Sequence, residues 1–133
     1  MFTQVRNGDL PGQILYQDEL VFVILSIAPH NPGHCLIIPV QEVADLEALN
    51  NALYERTMQI AHQFMKVLKA VYSPPKVAVV VSGADLPDHC HVHVFPQYES
   101  KDIDSSRAHQ VDQVVLKLEA DKIRAYLKER PIV

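Results

Sequence analysis

The spacing of hydrophobic and polar positions along the chain predicts short strands and one long helix. Short apolar runs bounded by Pro, Gly, Asn and Asp predict five strands, at Ile14–Gln17, Leu20–Ser26, His34–Ile38, residues 77–81 and His89–Phe95. From Asn51 to Tyr72 the apolar residues instead recur at steps of three and four, which predicts an amphipathic helix. Its predicted apolar face comprises Leu53, Thr57, Ile60, Phe64, Val67, Leu68 and Val71.

Two further segments predict shorter helices, one starting at Val43 and one over residues 118–130. Residues 114–118 fit either a strand or a helix. Because strands and helices do not alternate regularly, the order of elements predicts an α+β fold with a mainly antiparallel five-stranded sheet, one long helix and one or two shorter helices. We expect a single domain over residues 1–133, with a core at about residues 7–98 and a C-terminal loop and helix over 99–133.

Composition and charge exclude several classes of function. The 133 residues carry a net charge of −4, and the sequence pI is about 5.9. Since no basic stripe is present, we expect no binding to nucleic acid. No apolar run approaches the ~20 residues that a membrane span needs, so we expect no membrane insertion. The N-terminus lacks the basic-then-apolar pattern of a signal peptide, and we therefore expect a cytoplasmic protein.

The two cysteines, Cys35 and Cys90, each lie beside a histidine in a strand pattern. A disulfide is unusual in a cytoplasmic protein, so we expect both thiols to be free. They then serve as small apolar side chains that point away from the neighbouring histidines. No pair of cysteines has the close spacing of a structural zinc site.

Three histidines, His89, His91 and His93, occupy alternate positions of the fifth predicted strand. Side chains alternate across a strand, so the three rings share one face, while Cys90 and Val92 lie on the other. Neighbouring histidines on that face are about 6.5–7 Å apart at Cα, and the outer two are about 13 Å apart. Three interpretations follow from this spacing, namely a metal site, a packed sheet face and a catalytic site.

A metal ion would use two of the three histidines together with ligands from elsewhere, such as His34, because the outer pair is too far apart for all three to converge. Packing requires a hydrogen-bonding partner for every buried imidazole, since an unpaired one is costly. In the catalytic interpretation, the ring of His91 donates its Nδ1–H to a nearby carbonyl, so that the Nε2 lone pair attacks an electrophile. A row of imidazoles suits phosphorus chemistry, in which positioning and charge stabilisation dominate.

The segment HCHVHVF, residues 89–95, resembles the His-φ-His-φ-His-φ-φ pattern (φ, apolar) of the histidine triad (HIT) family. Upstream, NPGHCLIIP at residues 31–39 is similar to the Pro-Gly-His segment of that family, and GDLPGQILYQDE at residues 8–19 is similar to its N-terminal strand entry. The resemblance covers about residues 7–98 and implies a HIT-like α+β fold. It also implies a homodimer, in which two sheets usually join into one.

The same resemblance implies a reaction and the roles of four histidines. Family members hydrolyse or transfer nucleoside monophosphates from phosphoramidates, dinucleoside polyphosphates or nucleotide sugars, and no metal or other cofactor is needed. The middle histidine, here His91, is the nucleophile and forms a covalent nucleotidyl intermediate. The backbone carbonyl of His89 holds the His91 ring in the required tautomer, and His93 lines the phosphate side. His34 is a fourth site imidazole, packed behind the triad.

Several positions depart from the family pattern around the substrate. Ser26 stands where the family has Asp or Asn to bind both ribose hydroxyls, and a single hydroxyl does not replace a bidentate acceptor. Ile27 still offers an apolar surface for the base. The Gly-Gln-Ser or Gly-Gln-Thr before the triad is missing, and the residues expected to contact the nucleotide there are Ser82 and Gly83. After the triad, Gln97 replaces a frequent Arg, which removes a cation.

Two histidines outside these motifs lie in loops. We expect His30, in the loop before His34, to be exposed to solvent. His109 and Arg107 lie in a polar C-terminal loop, and in family members this segment often reaches the site of the partner subunit.

We therefore expect a nucleotidyl hydrolase or transferase that acts on nucleoside-monophosphate conjugates through His91. A second hypothesis is a nucleotide-binding module with weak or lost catalysis, motivated by Ser26 and by the missing Gln-Ser segment. A third hypothesis is a metal-binding protein that uses His89, His91 and His34.

Overall fold

Five antiparallel strands form one sheet in the computed structural model, which describes residues 1–81, 88–104, 106 and 108–133. The strands are β1 (Ile14–Gln17), β2 (Val21–Leu25), β3 (Cys35–Pro39), β4 (Lys76–Val80) and β5 (Val92–Gln97). In this part of the chain the helices are α1 (Phe2–Arg6), α2 (Asn51–Tyr72) and α3 (Gln113–Glu129), with 3₁₀ turns at Leu46–Ala48 and Ser100–Ile103. The order across the sheet is β1-β2-β3-β5-β4. The predicted fold class is confirmed.

Several element boundaries differ from those that the sequence predicts. β5 begins at Val92 rather than at His89, because the Cys90 N–H donates to the Val43 carbonyl (2.7 Å) and the chain pairs with β3 only from Val92 onward. The helix predicted from Val43 is wrong, since this segment contains only the 3₁₀ turn. Residues 114–118 belong to α3. The spacing of apolar residues does not predict α1, because five residues are too few to show a helical period.

The long helix α2 packs on one face of the sheet, and its ends have clear causes. The Asn50 side chain accepts the Leu53 N–H (2.9 Å) at the start, and Ser73 adopts a left-handed conformation (φ 50°) before two prolines end the helix. The buried face of α2 consists of Leu53, Thr57, Ile60, Ala61, Phe64, Val67 and Leu68, whereas Val71 is only half-buried. The sheet and α3 cover most of this face. No helix in the described ranges is long and apolar enough to cross a membrane.

The opposite face of the sheet carries the histidines. Residues alternate along β3, so Cys35 and Ile37 point into the core beneath α2 while Leu36 and Ile38 point to the other side. There α1 adds Phe2 and Val5 to a second apolar cluster, which also contains Phe22, Ile24, Leu36 and Ile38. Cys35 and Cys90 are both free and buried, as the sequence predicts.

Gly33, directly before His34, should tolerate alanine less well than Gly8 does. Both glycines have a positive φ, 91° and 85°, so alanine strains the backbone at either position. At Gly33 the added Cβ would also lie 2.5 Å from the Tyr72 ring, whereas at Gly8 no atom of the described residues lies within 4 Å. We expect urea denaturation to show a loss of about 1–2 kcal/mol in unfolding free energy for Gly8→Ala, and at least about 1 kcal/mol more for Gly33→Ala. Equal losses would contradict a close contact between this loop and α2.

Candidate functional site

Four imidazoles form a continuous row on the face of the sheet opposite α2. The ring centroids of His91 and His93 are 4.8 Å apart, those of His93 and His34 are 5.2 Å apart, and those of His34 and His30 are 5.1 Å apart. The strand register explains this arrangement. Leu36 of β3 pairs with His93 of β5, so His34, two residues earlier on the same face, lies diagonally across from His93.

The ring of His91 is held in one orientation by its own strand. Its Nδ1 lies 2.9 Å from the backbone carbonyl of His89, and because a carbonyl only accepts, Nδ1 carries the proton. In the neutral ring the lone pair is therefore on Nε2. The Phe2 ring packs edge-on against His91, with centroids 5.0 Å apart, and the His91 side chain is 1% exposed. These contacts restrict the ring to one position.

His89 contributes its backbone rather than its ring to this arrangement. The His89 ring binds the end of β3 instead, where its Nε2–H donates to the Pro39 carbonyl (2.8 Å). Its Nδ1 is buried and has no hydrogen-bond partner within the described part of the chain. Burial lowers the pKa of His89, so the ring favours the neutral form.

The protonation of His34 follows from the direction of its two hydrogen bonds. The backbone N–H of His30 donates to His34 Nδ1 (3.0 Å), so the ring proton is on Nε2 and is donated to His93 Nδ1 (3.0 Å). A neutral His93 therefore carries its own proton on Nε2. Burial, reinforced by the neighbouring imidazoles of His93, His30 and His91, lowers the pKa of His34 to about 2. His34 thus stays neutral at physiological pH.

The expectation that His30 is exposed is wrong. His30 is half-buried, its ring stacks on Phe95 (4.7 Å between centroids, 21° between planes), and its Nδ1–H donates to the Asp102 carbonyl (2.6 Å). Sequence reasoning missed this contact because the loop around His30 is rich in proline and its partner lies 72 residues away. No local pattern links the two residues.

Ser26 and Ile27, both predicted to bind nucleotide, point to different surroundings. Ser26 is 8% exposed, its Oγ accepts the Ala28 N–H (3.2 Å), and its own N–H donates to the His34 carbonyl (2.9 Å). Ile27 packs against the core on the α2 side, and its carbonyl accepts the Val111 N–H (3.0 Å). The nucleotide-binding roles of both residues stay predictions.

A cleft of about 220 Å³ lies between the β2–β3 loop and the start of α3. Ser26, His30 and His34 line it from the loop, and His109, Val111 and Glu119 line it from the C-terminal segment. Three residues with predicted roles lie outside the described residues, namely Ser82 and Gly83 at the nucleotide and Arg107 in the C-terminal loop.

The donor set proposed for a metal ion does not fit one. His34 uses the lone pair of Nδ1 to accept the His30 N–H and carries a proton on Nε2, so neither nitrogen offers a lone pair to a cation. Within residues 1–81, 88–104, 106 and 108–133, no group of three or more His, Cys, Asp or Glu side chains is arranged to hold a metal. The metal-binding hypothesis therefore lacks one of its three ligands.

The match to a known family agrees with this geometry. The HIT domain matches residues 7–100, a range that covers more than half of the 133 residues and contains His34 and the triad. The chain belongs to the HIT family. The resemblance seen in the sequence is thereby confirmed.

Two relatives and one solved structure illustrate the family relationship. The AP-4-A phosphorylase of Mycobacterium tuberculosis is 30% identical in an alignment of 103 positions, which covers 73% of this chain and 53% of that protein. Bis(5'-adenosyl)-triphosphatase of Saccharomyces cerevisiae is 26% identical in an alignment of 100 positions, which covers 68% of this chain and 47% of the yeast protein. This HIT protein thus spans about half the length of either relative. A hypothetical histidine triad nucleotide-binding protein of Sulfolobus tokodaii shares the fold, with a TM-score of 0.81 and 21% identity over 96% of this chain and 91% of that one.

The neutral ring of His34 predicts a specific dependence of stability on pH. A histidine in an unfolded chain has a pKa of about 6.5. Since the pKa of His34 in the folded protein is about 2, only the unfolded state binds this proton between those values. Stability is therefore lost as pH falls below about 6.5, at about 1.4 kcal/mol per pH unit from this ring. We expect His34→Phe to remove that contribution between about pH 5.5 and 4.5 in a series of denaturant titrations.

The matched control for this prediction is Leu116→Ala, a core substitution at a side chain that is 3% exposed. It should lower the unfolding free energy at every pH and leave the dependence on pH as in the wild type. If His34→Phe instead keeps the wild-type slope, the ring of His34 is not the buried neutral group described above.

Proposed function

We propose that this HIT protein is a nucleotidyl hydrolase or transferase that acts on nucleoside-monophosphate conjugates, with His91 as the nucleophile. The observation that carries the proposal is the 2.9 Å hydrogen bond between His91 Nδ1 and the His89 carbonyl. It assigns the lone pair to Nε2, and a neutral imidazole nitrogen is a competent nucleophile towards phosphorus.

The reaction takes place in two displacements. In the first, the Nε2 lone pair of His91 bonds to phosphorus, and the bond from phosphorus to the leaving group breaks with its electron pair. The imidazole becomes positively charged, and the His89 carbonyl stabilises that charge through Nδ1–H. In the second, water or another acceptor attacks phosphorus, the N–P bond breaks, and its electron pair returns to Nε2. The acceptor loses its proton to solvent, and the nucleoside monophosphate leaves as such or as a new conjugate.

His93 provides a hydrogen-bond donor beside the nucleophile. Because its Nδ1 accepts from His34, the neutral ring presents Nε2–H. His93 is also partly exposed, whereas the rings of His91 and His34 are each 1% exposed. We assign this N–H to a non-bridging phosphoryl oxygen, on which negative charge is concentrated during the transfer.

The names of the relatives support a nucleotide conjugate as the substrate. The Mycobacterium tuberculosis relative is an AP-4-A phosphorylase and the yeast relative is a bis(5'-adenosyl)-triphosphatase, so both names denote dinucleoside polyphosphates. We therefore place dinucleoside polyphosphates beside nucleoside phosphoramidates as substrates of this chain. Neither class requires a cofactor in the two displacements.

Substitution of the nucleophile tests this proposal. We expect wild-type protein to release AMP from diadenosine polyphosphates or from an adenosine phosphoramidate, and His91→Ala to lower kcat by a factor on the order of 10⁴ or more. Intact-mass spectrometry after rapid acid quenching should show one added AMP on the wild type and none on His91→Ala. Lys117→Ala, at an exposed residue of α3, is the control and should keep full activity.

Retained turnover in His91→Ala would refute the assignment of the nucleophile. Tight nucleotide binding without turnover in the wild type would instead favour a binding module with lost catalysis. In that event Ser26, where the family has Asp or Asn, is the residue to restore first.

We also propose that the protein forms a homodimer through the β4 edge of its sheet. In the described part of the chain, β4 pairs only with β5, and Val79 and Val81 are 38% and 52% exposed. A groove of about 480 Å³ runs beside this edge, lined by His62, Met65, Lys66, Lys69, Ala70 and Val77. A second copy would pair with the open edge of β4 and cover the exposed side chains of Val79 and Val81. The apolar face of α2 is not available to a second copy, because the sheet and α3 of the same chain cover most of it.

A charged residue on the edge strand should separate the dimer. We expect light scattering at micromolar concentration to give twice the 15.0 kDa chain mass for the wild type and a monomer mass for Val79→Asp. Val114→Asp, at a position of α3 that is 74% exposed, should leave the dimer intact. A monomeric wild type would contradict the proposal.

A further inference from the structure

His30 joins the end of β5 to the ring that lies behind the triad. Its ring stacks on Phe95, and its Nδ1–H donates to the Asp102 carbonyl (2.6 Å), in the 3₁₀ turn that follows β5. Its backbone N–H donates to His34 Nδ1 (3.0 Å). His30 therefore connects the 3₁₀ turn after β5 to the imidazole row, because its side chain binds the turn and its backbone N–H binds His34.

The anchor for this side chain is a well-fixed turn. Asp102 is 2% exposed, and its Oδ2 accepts the backbone N–H groups of Tyr98 and Glu99, just before the turn, at 2.8 and 3.0 Å. Asn31, the residue after His30, donates from its side-chain amide to the same oxygen (3.0 Å) and to the Pro96 carbonyl (2.8 Å). The loop that carries His30 is thus tied to the end of β5 at two adjacent positions.

The hydrogen bonds along this row run in one direction. A backbone N–H always donates, so His34 Nδ1 must accept and His34 Nε2–H must donate to His93 Nδ1. The other tautomer of His34 would oppose two N–H donors at His30, so that hydrogen bond would be lost. The contact with His93 would then persist only if the His93 proton moved from Nε2 to Nδ1. The proton position on His93 therefore depends on where the His30 N–H is held.

We propose that His30 is a positioning residue for phosphoryl transfer, whose ring, anchored on the Asp102 carbonyl, holds the His30 N–H against His34 and thereby keeps the proton of His93 on Nε2. This inference rests on the proposed function, because the His93 Nε2–H affects the rate only where it meets a phosphoryl oxygen. His30 itself does not touch the reacting atoms.

Two substitutions separate the hydrogen bond from the ring stacking. His30→Asn keeps a donor near the position of Nδ1 and loses the ring, whereas His30→Phe keeps a ring on Phe95 and loses the donor. With a diadenosine polyphosphate as substrate, we expect His30→Phe to lower kcat about tenfold with KM within about twofold of the wild type. His30→Asn should stay within about threefold of the wild-type kcat.

Nitrogen-15 NMR of the imidazole rings at neutral pH provides a readout that a merely structural role would not change. In the wild type and in His30→Asn, the spectra should show His34 and His93 as neutral rings protonated at Nε2. In His30→Phe, both rings should show a mixture of the two tautomers. These spectra require no substrate. They therefore test whether His30 fixes the tautomers of His34 and His93 even if His91 proves not to be a nucleophile.

Three results would overturn the proposal. The first is wild-type tautomers and kcat in His30→Phe, which would show that the side-chain anchor has no effect. The second is a loss of kcat in His30→Asn with retention in His30→Phe, which would assign the role to ring stacking. The third is a loss of kcat in both variants with unchanged tautomers, which would place His30 in direct contact with substrate.

Discussion

The site depends on the fact that the triad segment pairs with β3 only from Val92 onward, so that His89, Cys90 and His91 lie outside the β-ladder. A residue that pairs along a strand commits its backbone groups to the neighbouring strand, but pairing between β3 and β5 extends only from Val92 toward the C-terminus. The Cys90 N–H turns instead to the Val43 carbonyl, and the His89 ring binds the Pro39 carbonyl. The His89 carbonyl is thereby placed to accept the Nδ1–H of His91, and this hydrogen bond determines which nitrogen of that ring carries the lone pair.

The buried imidazoles of His34, His89 and His91 are stabilised because each has a ring nitrogen hydrogen-bonded to a backbone group of fixed type. A polar group loses its hydration on burial, and only a hydrogen bond with suitable geometry offsets that cost. Carbonyl groups accept from His30, His89 and His91, whereas a backbone N–H donates to His34. Because carbonyls only accept and N–H groups only donate, the backbone sets the tautomer of each ring that it contacts. These four backbone hydrogen bonds are all compatible with neutral imidazoles.

The two faces of the sheet have different roles: one packs the main apolar core, and the other carries the histidines of the candidate site. The face beneath α2 and α3 is a continuous apolar core, built from buried Val, Ile and Leu side chains at alternate positions of the strands. Among the described residues, the short helix α1 packs on the other face, and the histidines occupy the part nearest β5. Phe2 joins the two regions, since it packs in the small apolar cluster and against the His91 ring. This division leaves the reactive rings on a rigid support, which a positioned nucleophile requires.

The periodicity of the sequence is sufficient for the α+β class, the five strands and α2, because burial of a strand or helix face imposes a regular spacing on its apolar residues. The motif around His34 and the triad is likewise local, so the family and the candidate nucleophile follow from the sequence. Short elements are a different matter. α1 is too short for a period, and Val43 lies in a segment whose backbone bonds to Cys90 rather than within a helix.

The roles of His30 and Asp102 were decided only by the tertiary structure. The two residues are 72 positions apart, and no spacing rule links a proline-rich loop to a turn beyond the last strand. The proton positions on His34 and His93 also depend on tertiary structure, because an imidazole has two equivalent choices until a backbone donor or acceptor of known type comes within hydrogen-bond distance. The sequence by itself determined which residue types are present and which face of a strand they share. Folding decided the direction of the hydrogen bonds among them, since that direction depends on backbone groups brought together from distant parts of the chain.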